Sequence, residues 1–116
     1  MSTKYYTVSE LTSKTRSVLE LSLNDIWVEG EISNLHYHSS GHIYLTLKDK
    51  ASELRCVFFK HINIYLGFRL QDGMHIQIFG SVSIYEQRGQ LQFLIQRLKK
   101  SGSGALYQEY QALKNK

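Results

Sequence analysis

The heptapeptide HIYLTLK, residues 42–48, alternates between polar and apolar side chains at every position. In an extended chain its three aliphatic residues share one face, and the opposite face carries His42, Tyr44, Thr46 and Lys48. A period of two over this length predicts a β-strand with one face in a core and the other in solvent.

Similar short segments extend over residues 25–98 and predict four further strands, at residues 26–33, 53–59, 74–85 and 89–98. Turn-forming sequences separate them, namely SSG at 39–41, DKAS at 49–52 and EQRG at 86–89. The less regular stretch at 60–71 has room for a short helix. Gly30 and Gly80 lie inside strands, where glycine marks a bulge or a sharp bend at a barrel corner. Five short, bent strands predict an all-β OB-fold barrel, although an SH3-like barrel or an open antiparallel sheet would share this periodicity.

Helical patterns flank the strands at both ends. Thr7 and Glu10 form a capping box for a helix over residues 8–21, and its apolar stripe is expected to face the core: Val8, Leu11, Thr15, Val18 and Leu19. After SGSG at 101–104, with Ser103 as a candidate N-cap, a second pattern runs over residues 105–116. We therefore expect a barrel domain at 1–100, then at 101–116 a linker and the start of a helix leading to a missing domain.

The bulk composition is that of one globular domain with a mild excess of positive charge. The 116 residues are 42% hydrophobic, carry a formal net charge of +4, and are 12% aromatic with eight tyrosines. No apolar run reaches the roughly 20 residues of a membrane helix, and residues 1–6 lack the apolar stretch of a signal peptide. A single cysteine fits a reducing compartment, so we expect a cytoplasmic protein with no membrane partner.

Candidate catalytic or metal-binding residues are sparse. His36, His38 and His42 lie within seven residues, but their spacing matches no standard zinc signature. Glu29 and Glu31 share a strand face, where such pairs are more often exposed or paired with a neighbouring cation. Neither an esterase elbow nor a phosphate-binding loop motif occurs, and the alternation places Cys56 inward as a packing residue. We expect no catalytic residue, no metal and no cofactor in this chain.

The outward positions of the middle strands combine flat rings with cations. Tyr44 and Lys48 on one predicted strand lie beside Arg55 and Phe59 on the next. Single-stranded nucleic acid binding uses this combination, because rings stack on bases and cations follow the phosphates. The predicted binding residues are Trp27, which would extend the platform from the first strand, His42, Tyr44, Lys48, Arg55, Phe59, Lys60 and Arg88. Packing of Trp27 or Phe59 under a loop or the first helix is the alternative.

Four blocks of the sequence resemble the large subunit of exodeoxyribonuclease VII. They are YTVSEL (6–11) with IWVEGEISNL (26–35), SGHIYLTLKD (40–49), GSVSIY (80–85) with GQLQF (89–93), and GSGAL (102–106) followed by Leu113 and Lys114. The blocks span nearly the whole chain in the family's order. One departure is Leu45, where the family usually has Phe.

This resemblance implies an N-terminal OB-fold domain that binds single-stranded DNA for a nuclease degrading single strands from either end. The partners would be single-stranded DNA and several small subunits, which would bind through regions missing here. The family's catalytic residues lie beyond position 116, so the resemblance implies that this chain is not an enzyme by itself, whereas its parent subunit is. A tRNA-binding or protein-docking module remains the alternative.

Overall fold

A computed structural model of the chain describes residues 3–85 and 87–101. Along this part of the chain the elements are α1 (Val8–Ser22), β1 (Ile26–Tyr37), β2 (Ile43–Lys48), β3 (Glu53–Phe58), α2 (Lys60–Asn63), β4 (His75–Tyr85) and β5 (Gln90–Lys100). The five strands and the short helix are those that the sequence predicts, with β1 extending further than expected. The predicted helix at 105–116 lies outside the described residues.

The strands form a closed barrel in the order β1-β2-β3-β5-β4. Four of the pairings are antiparallel, whereas β3 and β5 close the barrel in parallel, with Cys56 opposite Phe93 and Val57 opposite Leu94. Such five-stranded closure is the OB-fold arrangement, so the predicted fold is confirmed and the open sheet is excluded.

The inward faces of all five strands supply the core. Ile43, Leu45 and Leu47 are at most 4% exposed, as the alternation of HIYLTLK predicts. The other buried residues include Phe93 and Ile95 from β5, Ile76 and Ile78 from β4, Cys56 and Phe58 from β3, and Ile32 from β1. Each large aliphatic or aromatic side chain buried in this way contributes about 1.5–3 kcal/mol, so the barrel is held mainly by this one cluster.

Strand β1 bends and forms hydrogen-bonded pairs with two different strands. Its first half, to Glu31, pairs with β4, and its second half, from Glu31 onward, pairs with β2. At the bend a Cβ on Gly30 would lie 2.8 Å from the Leu47 side chain and from the Lys48 carbonyl, so only glycine fits without displacing β2. Beyond the bend the β1–β2 register shifts between Ser33 and His36, and Asn34 has a positive φ of 51°.

Gly80 is a second position where the barrel requires glycine. The β4–β5 register shifts between Phe79 and Gly80, confirming the predicted irregularity in this strand. A Cβ on Gly80 would overlap the backbone carbonyl oxygen of Leu94 on β5. The two backbones approach this closely because the register shift turns β4 around the barrel corner.

Helix α1 begins as predicted but does not bury its apolar stripe. The Thr7 hydroxyl accepts a hydrogen bond from the Glu10 N–H, and the Glu10 carboxylate accepts one from the Thr7 N–H. The expectation of a core-facing stripe is wrong for Val8, Leu11 and Val18, which are 83%, 54% and 50% exposed. Of the apolar stripe residues only Leu19 packs against the core, because the helix joins the barrel at its C-terminal end, where the Val82 N–H donates to the Leu23 carbonyl.

Candidate nucleic-acid interface

The outer surface of β2 and β3 is the face that the sequence predicts for binding. Register places Tyr44 opposite Val57, Thr46 opposite Arg55 and Lys48 opposite Glu53. We call these six residues the β2–β3 face. Strand β1 continues it, with His36 opposite Tyr44 and Glu31 opposite Lys48. The result is a sheet surface with rings at one end and charges at the other.

Six rings gather at the first end, around the β1–β2 turn and the start of α2. The His38 ring meets Tyr44 edge-on at a centroid distance of 6.0 Å and His36 at 5.7 Å. The Phe59 ring meets the His42 ring edge-on at a centroid distance of 5.3 Å and stacks with the His61 ring at a centroid distance of 6.2 Å. We call this set the aromatic end: His36, His38, His42, Tyr44, Phe59 and His61. It holds four of the five histidines, three of which sequence spacing had raised as weak zinc candidates.

A small hydrogen-bond network holds the aromatic end in place. The Asn63 side-chain amide donates to the carbonyls of Gly41 and Phe58, at 2.8 and 2.9 Å, and so ties α2 to both flanking segments. The Lys60 backbone N–H donates to His42 Nδ1 at 3.0 Å, which fixes the orientation of that ring. Gly41 has a φ of +97°, and a Cβ there would lie 2.7 Å from the Lys60 side chain. Asn63 and Gly41 were not among the predicted residues.

Cations occupy the opposite end of the face. Arg55 donates a hydrogen bond to the Gln90 side chain at 3.2 Å, which links β3 to the start of β5. Arg88 is exposed in the β4–β5 turn, where its backbone N–H donates to the Tyr85 carbonyl at 3.2 Å. Lys48 lies 3.9 Å from a Glu31 carboxylate oxygen, and His75 lies 3.6 Å from the other. Glu31 therefore has the neighbouring-strand cation that the sequence interpretation preferred over a metal.

Of the eight predicted residues, Tyr44, Lys48 and Arg55 lie on this face, and His42, Phe59 and Lys60 adjoin its aromatic end. Arg88 lies in the β4–β5 turn, and Trp27 is elsewhere on β1. Along β1, Trp27 precedes His36 by nine residues and lies on the other side of the bend at Gly30. It lies opposite Phe79 of β4, with 47% of its surface exposed. Phe59 is half-buried against two histidine rings at the N-cap of α2, so it is neither fully packed nor free.

Two further observations concern the described part of the chain. Its residues contain no group of three or more His, Cys, Asp or Glu side chains positioned to hold a metal ion. No helix within residues 3–85 and 87–101 is long and apolar enough to cross a membrane.

The family described as "OB-fold nucleic acid binding domain" matches residues 6–99, and the chain belongs to it. Within that class the sequence resembles one particular protein, the exodeoxyribonuclease 7 large subunit. It is 42% identical to that of Halothermothrix orenii over 118 residues, covering 100% of this chain and 29% of the relative. It is 48% identical to that of Geobacter metallireducens over 110 residues, covering 95% and 24%. The chain thus spans about a quarter of the length of these relatives, and the resemblance predicted from its motifs is confirmed.

Solved structures share the fold at low sequence identity. The Schizosaccharomyces pombe Stn1–Ten1 complex aligns with a TM-score of 0.59 at 18% identity, over 81% of this chain and 68% of that one. Asparaginyl-tRNA synthetase from Pyrococcus horikoshii gives 0.59 at 15%, over 74% and 21%. A replication protein A heterotrimer bound to single-stranded DNA gives 0.57 at 6%, over 79% and 66%. These likenesses establish the barrel fold.

Proposed function

We propose that this chain binds single-stranded DNA through the β2–β3 face, as the binding domain of an exodeoxyribonuclease VII large subunit in the cytoplasm. The observation that carries the proposal is the pairing of the aromatic end with the cations Lys48 and Arg55 on one continuous surface, and we expect Arg88, exposed in the β4–β5 turn, to add to it. Stacking on rings requires unpaired bases, which a duplex does not present. The curated relatives, which are named as subunits of a deoxyribonuclease, favour DNA over tRNA or a protein partner.

The catalytic part of the proposed nuclease would lie in a region outside these 116 residues. Phosphodiester hydrolysis needs a metal cage or another activated nucleophile, and the Glu31 carboxylate beside the candidate face lies against Lys48 and His75. Small subunits would bind through that other region. In this proposal the barrel holds the single strand, and hydrolysis to oligonucleotides takes place elsewhere in the assembly.

A direct test compares ligands in fluorescence anisotropy titrations. We expect labelled single-stranded DNA to bind more tightly than duplex or tRNA, with a slope of log K against log salt of about −2 to −3.5 if the face contacts three to five phosphates. Because the proposal places catalysis elsewhere, the oligonucleotide should remain intact with or without Mg²⁺. Equal affinity for duplex, a preference for tRNA, or protein-dependent hydrolysis would each contradict the proposal.

Tyr44→Ala should weaken binding of single-stranded DNA by about 1–3 kcal/mol, or roughly 5- to 150-fold in Kd, because a base loses its stacking platform. Tyr44 is 38% exposed, lies outside the buried core and meets the His38 ring edge-on, so the fold should survive the change. The matched control is Tyr5→Ala, which removes an 84% exposed tyrosine ahead of α1. If both variants bind as the unchanged protein does, the β2–β3 face is not the binding surface.

A further inference from the structure

The outer surface of β1, β4 and β5 carries a second group of rings and cations, away from the β2–β3 face. Strand register forms two rows across the three strands: Trp27, Phe79 and Arg97 in one, and Glu29, Gln77 and Lys99 in the next. Each row takes one residue from each strand, so the backbone ladder fixes the spacing of the side chains. We call Trp27, Phe79, Arg97 and Lys99 the Trp27 patch.

Within the Trp27 patch each cation lies over a ring. The Trp27 and Phe79 ring centroids are 5.2 Å apart, with the rings tilted by 50°. The Lys99 ammonium is 4.7 Å from the Trp27 ring centroid, and the Arg97 guanidinium is 5.0 Å from that of Phe79. These contacts hold positive charge directly above flat apolar surfaces. A tryptophan that is 47% exposed between cations leaves a large apolar surface in water. Such an arrangement is typical of a binding surface rather than of a packed one.

The charge of this surface favours an anionic ligand. Arg97 and Lys99 contribute two positive charges, and the neighbouring acid in the two rows is Glu29. Its carboxylate accepts hydrogen bonds from the Ser101 hydroxyl at 2.9 Å and the Gln77 amide at 3.1 Å. These bonds hold the pKa of Glu29 below its ordinary value, so the carboxylate stays ionised but is directed to neutral partners. The cations remain over the rings.

We infer that the Trp27 patch is a second binding site for single-stranded nucleic acid. An unpaired base would stack on Trp27, and the Lys99 and Arg97 heads would move from the rings to the flanking phosphates. Along β1, nine residues separate Trp27 from His36, the residue opposite Tyr44, so Trp27 and Tyr44 would stack on different bases of a bound strand. A strand long enough to engage both could bind more tightly than either site allows by itself. This inference rests on the proposed function, because it gives the same ligand a second surface.

Trp27 provides its own reporter, because it is the only tryptophan in the chain. We would titrate the protein with a fluorescently labelled thymidine oligonucleotide of about 20 nucleotides, which is long enough to reach more than one surface. The anisotropy of the oligonucleotide label and the emission of Trp27 would be recorded in the same titration. We expect saturable quenching of Trp27 that persists in Tyr44→Ala. The double change Arg97→Gln with Lys99→Gln should raise the oligonucleotide concentration for half-quenching about tenfold, because two phosphate contacts are lost. Lys4→Gln with Lys14→Gln, which removes two exposed positive charges at the N-terminal end of the chain, is the matched charge control.

Two results would overturn the inference. One is an anisotropy change at saturation with unaltered tryptophan emission, which would leave the β2–β3 face as the binding surface. The other is a shift in sedimentation between the unchanged protein and Trp27→Ala without DNA, which would make the patch a contact between copies of the chain. Failure of the proposed function looks different from both, since it would appear as equal affinity for duplex or a preference for tRNA, or as unchanged binding by Tyr44→Ala.

Discussion

Gly80→Ala should destabilise the barrel severely, lowering the free energy of unfolding by about 3 kcal/mol or more. The added methyl group would overlap the Leu94 carbonyl oxygen, which belongs to the backbone of β5 and has no rotamer by which to move. Relief requires β4 and β5 to separate at the register shift, where Gly80 lies opposite Ile95. Ile95 is 1% exposed, so that separation would also open the core.

Urea unfolding followed by circular dichroism measures this loss as a lower midpoint. Gly67→Ala is the control, because a Cβ at Gly67 meets no atom within 4 Å. We expect that change to alter stability by no more than about 0.5 kcal/mol. Equal urea midpoints for Gly80→Ala and Gly67→Ala would contradict the close approach of β4 and β5 at Gly80.

Cys56 should react with a thiol reagent at least about a thousandfold more slowly in the folded protein than in urea, because the thiolate is the reactive form. The side chain is 2% exposed, and burial raises the pKa of its thiol from the ordinary 9.0 to about 12. The rate of absorbance change with a disulfide reagent, at pH 8 with and without denaturant, measures the ratio. In Gly80→Ala the native protection should fall with the stability of the barrel.

The same pKa shift has a consequence for stability at high pH. The folded state favours the neutral thiol, so this contribution is complete below pH 9 and is lost as the pH rises toward 12. The difference in unfolding free energy between the unchanged protein and Cys56→Ala should therefore narrow over that range. In the thiol-labelling experiment, equal reaction rates of Cys56 in the folded and unfolded chain would contradict the buried position that the alternation of β3 predicts.

The parts of the fold that could be predicted from the sequence were those determined by the periodicity of neighbouring residues. The alternation of residues 42–48 determined which side chains of β2 are buried, because an antiparallel strand has one face in the core. The end of β1 was predicted near Ser33 because the bulge at Asn34 and Leu35 interrupts the period of two. That bulge is held by Asp72, whose carboxylate accepts a hydrogen bond from the Leu35 N–H at 3.0 Å. Because the two residues are 37 positions apart, this hydrogen bond leaves no local pattern in the sequence from which the bulge could be predicted.

Contacts between distant parts of the chain also limited what the sequence could predict about the candidate site. Outward parity identified Tyr44 and Arg55, but parity does not say which strand lies beside a residue. Trp27 has the outward parity of β1, yet β1 changes neighbours at Glu31, so Trp27 faces β4 and β5 instead of β2. The apolar stripe of α1 failed for a related reason, because helical periodicity shows that a stripe exists but does not show what covers it.

The place of β5 between β3 and β4 affects how the chain assembles during synthesis. The β1–β2 and β2–β3 hairpins and the β1–β4 pairing can all form before residue 90 leaves the ribosome, but β3 and β4 then each present an unpaired edge. Exposed edges of this kind recruit other strands, including those of neighbouring chains. We expect the facing edges of β3 and β4 to stay open to such pairing until β5 fills the gap between them, so slower synthesis of residues 90–100 should favour aggregation over folding.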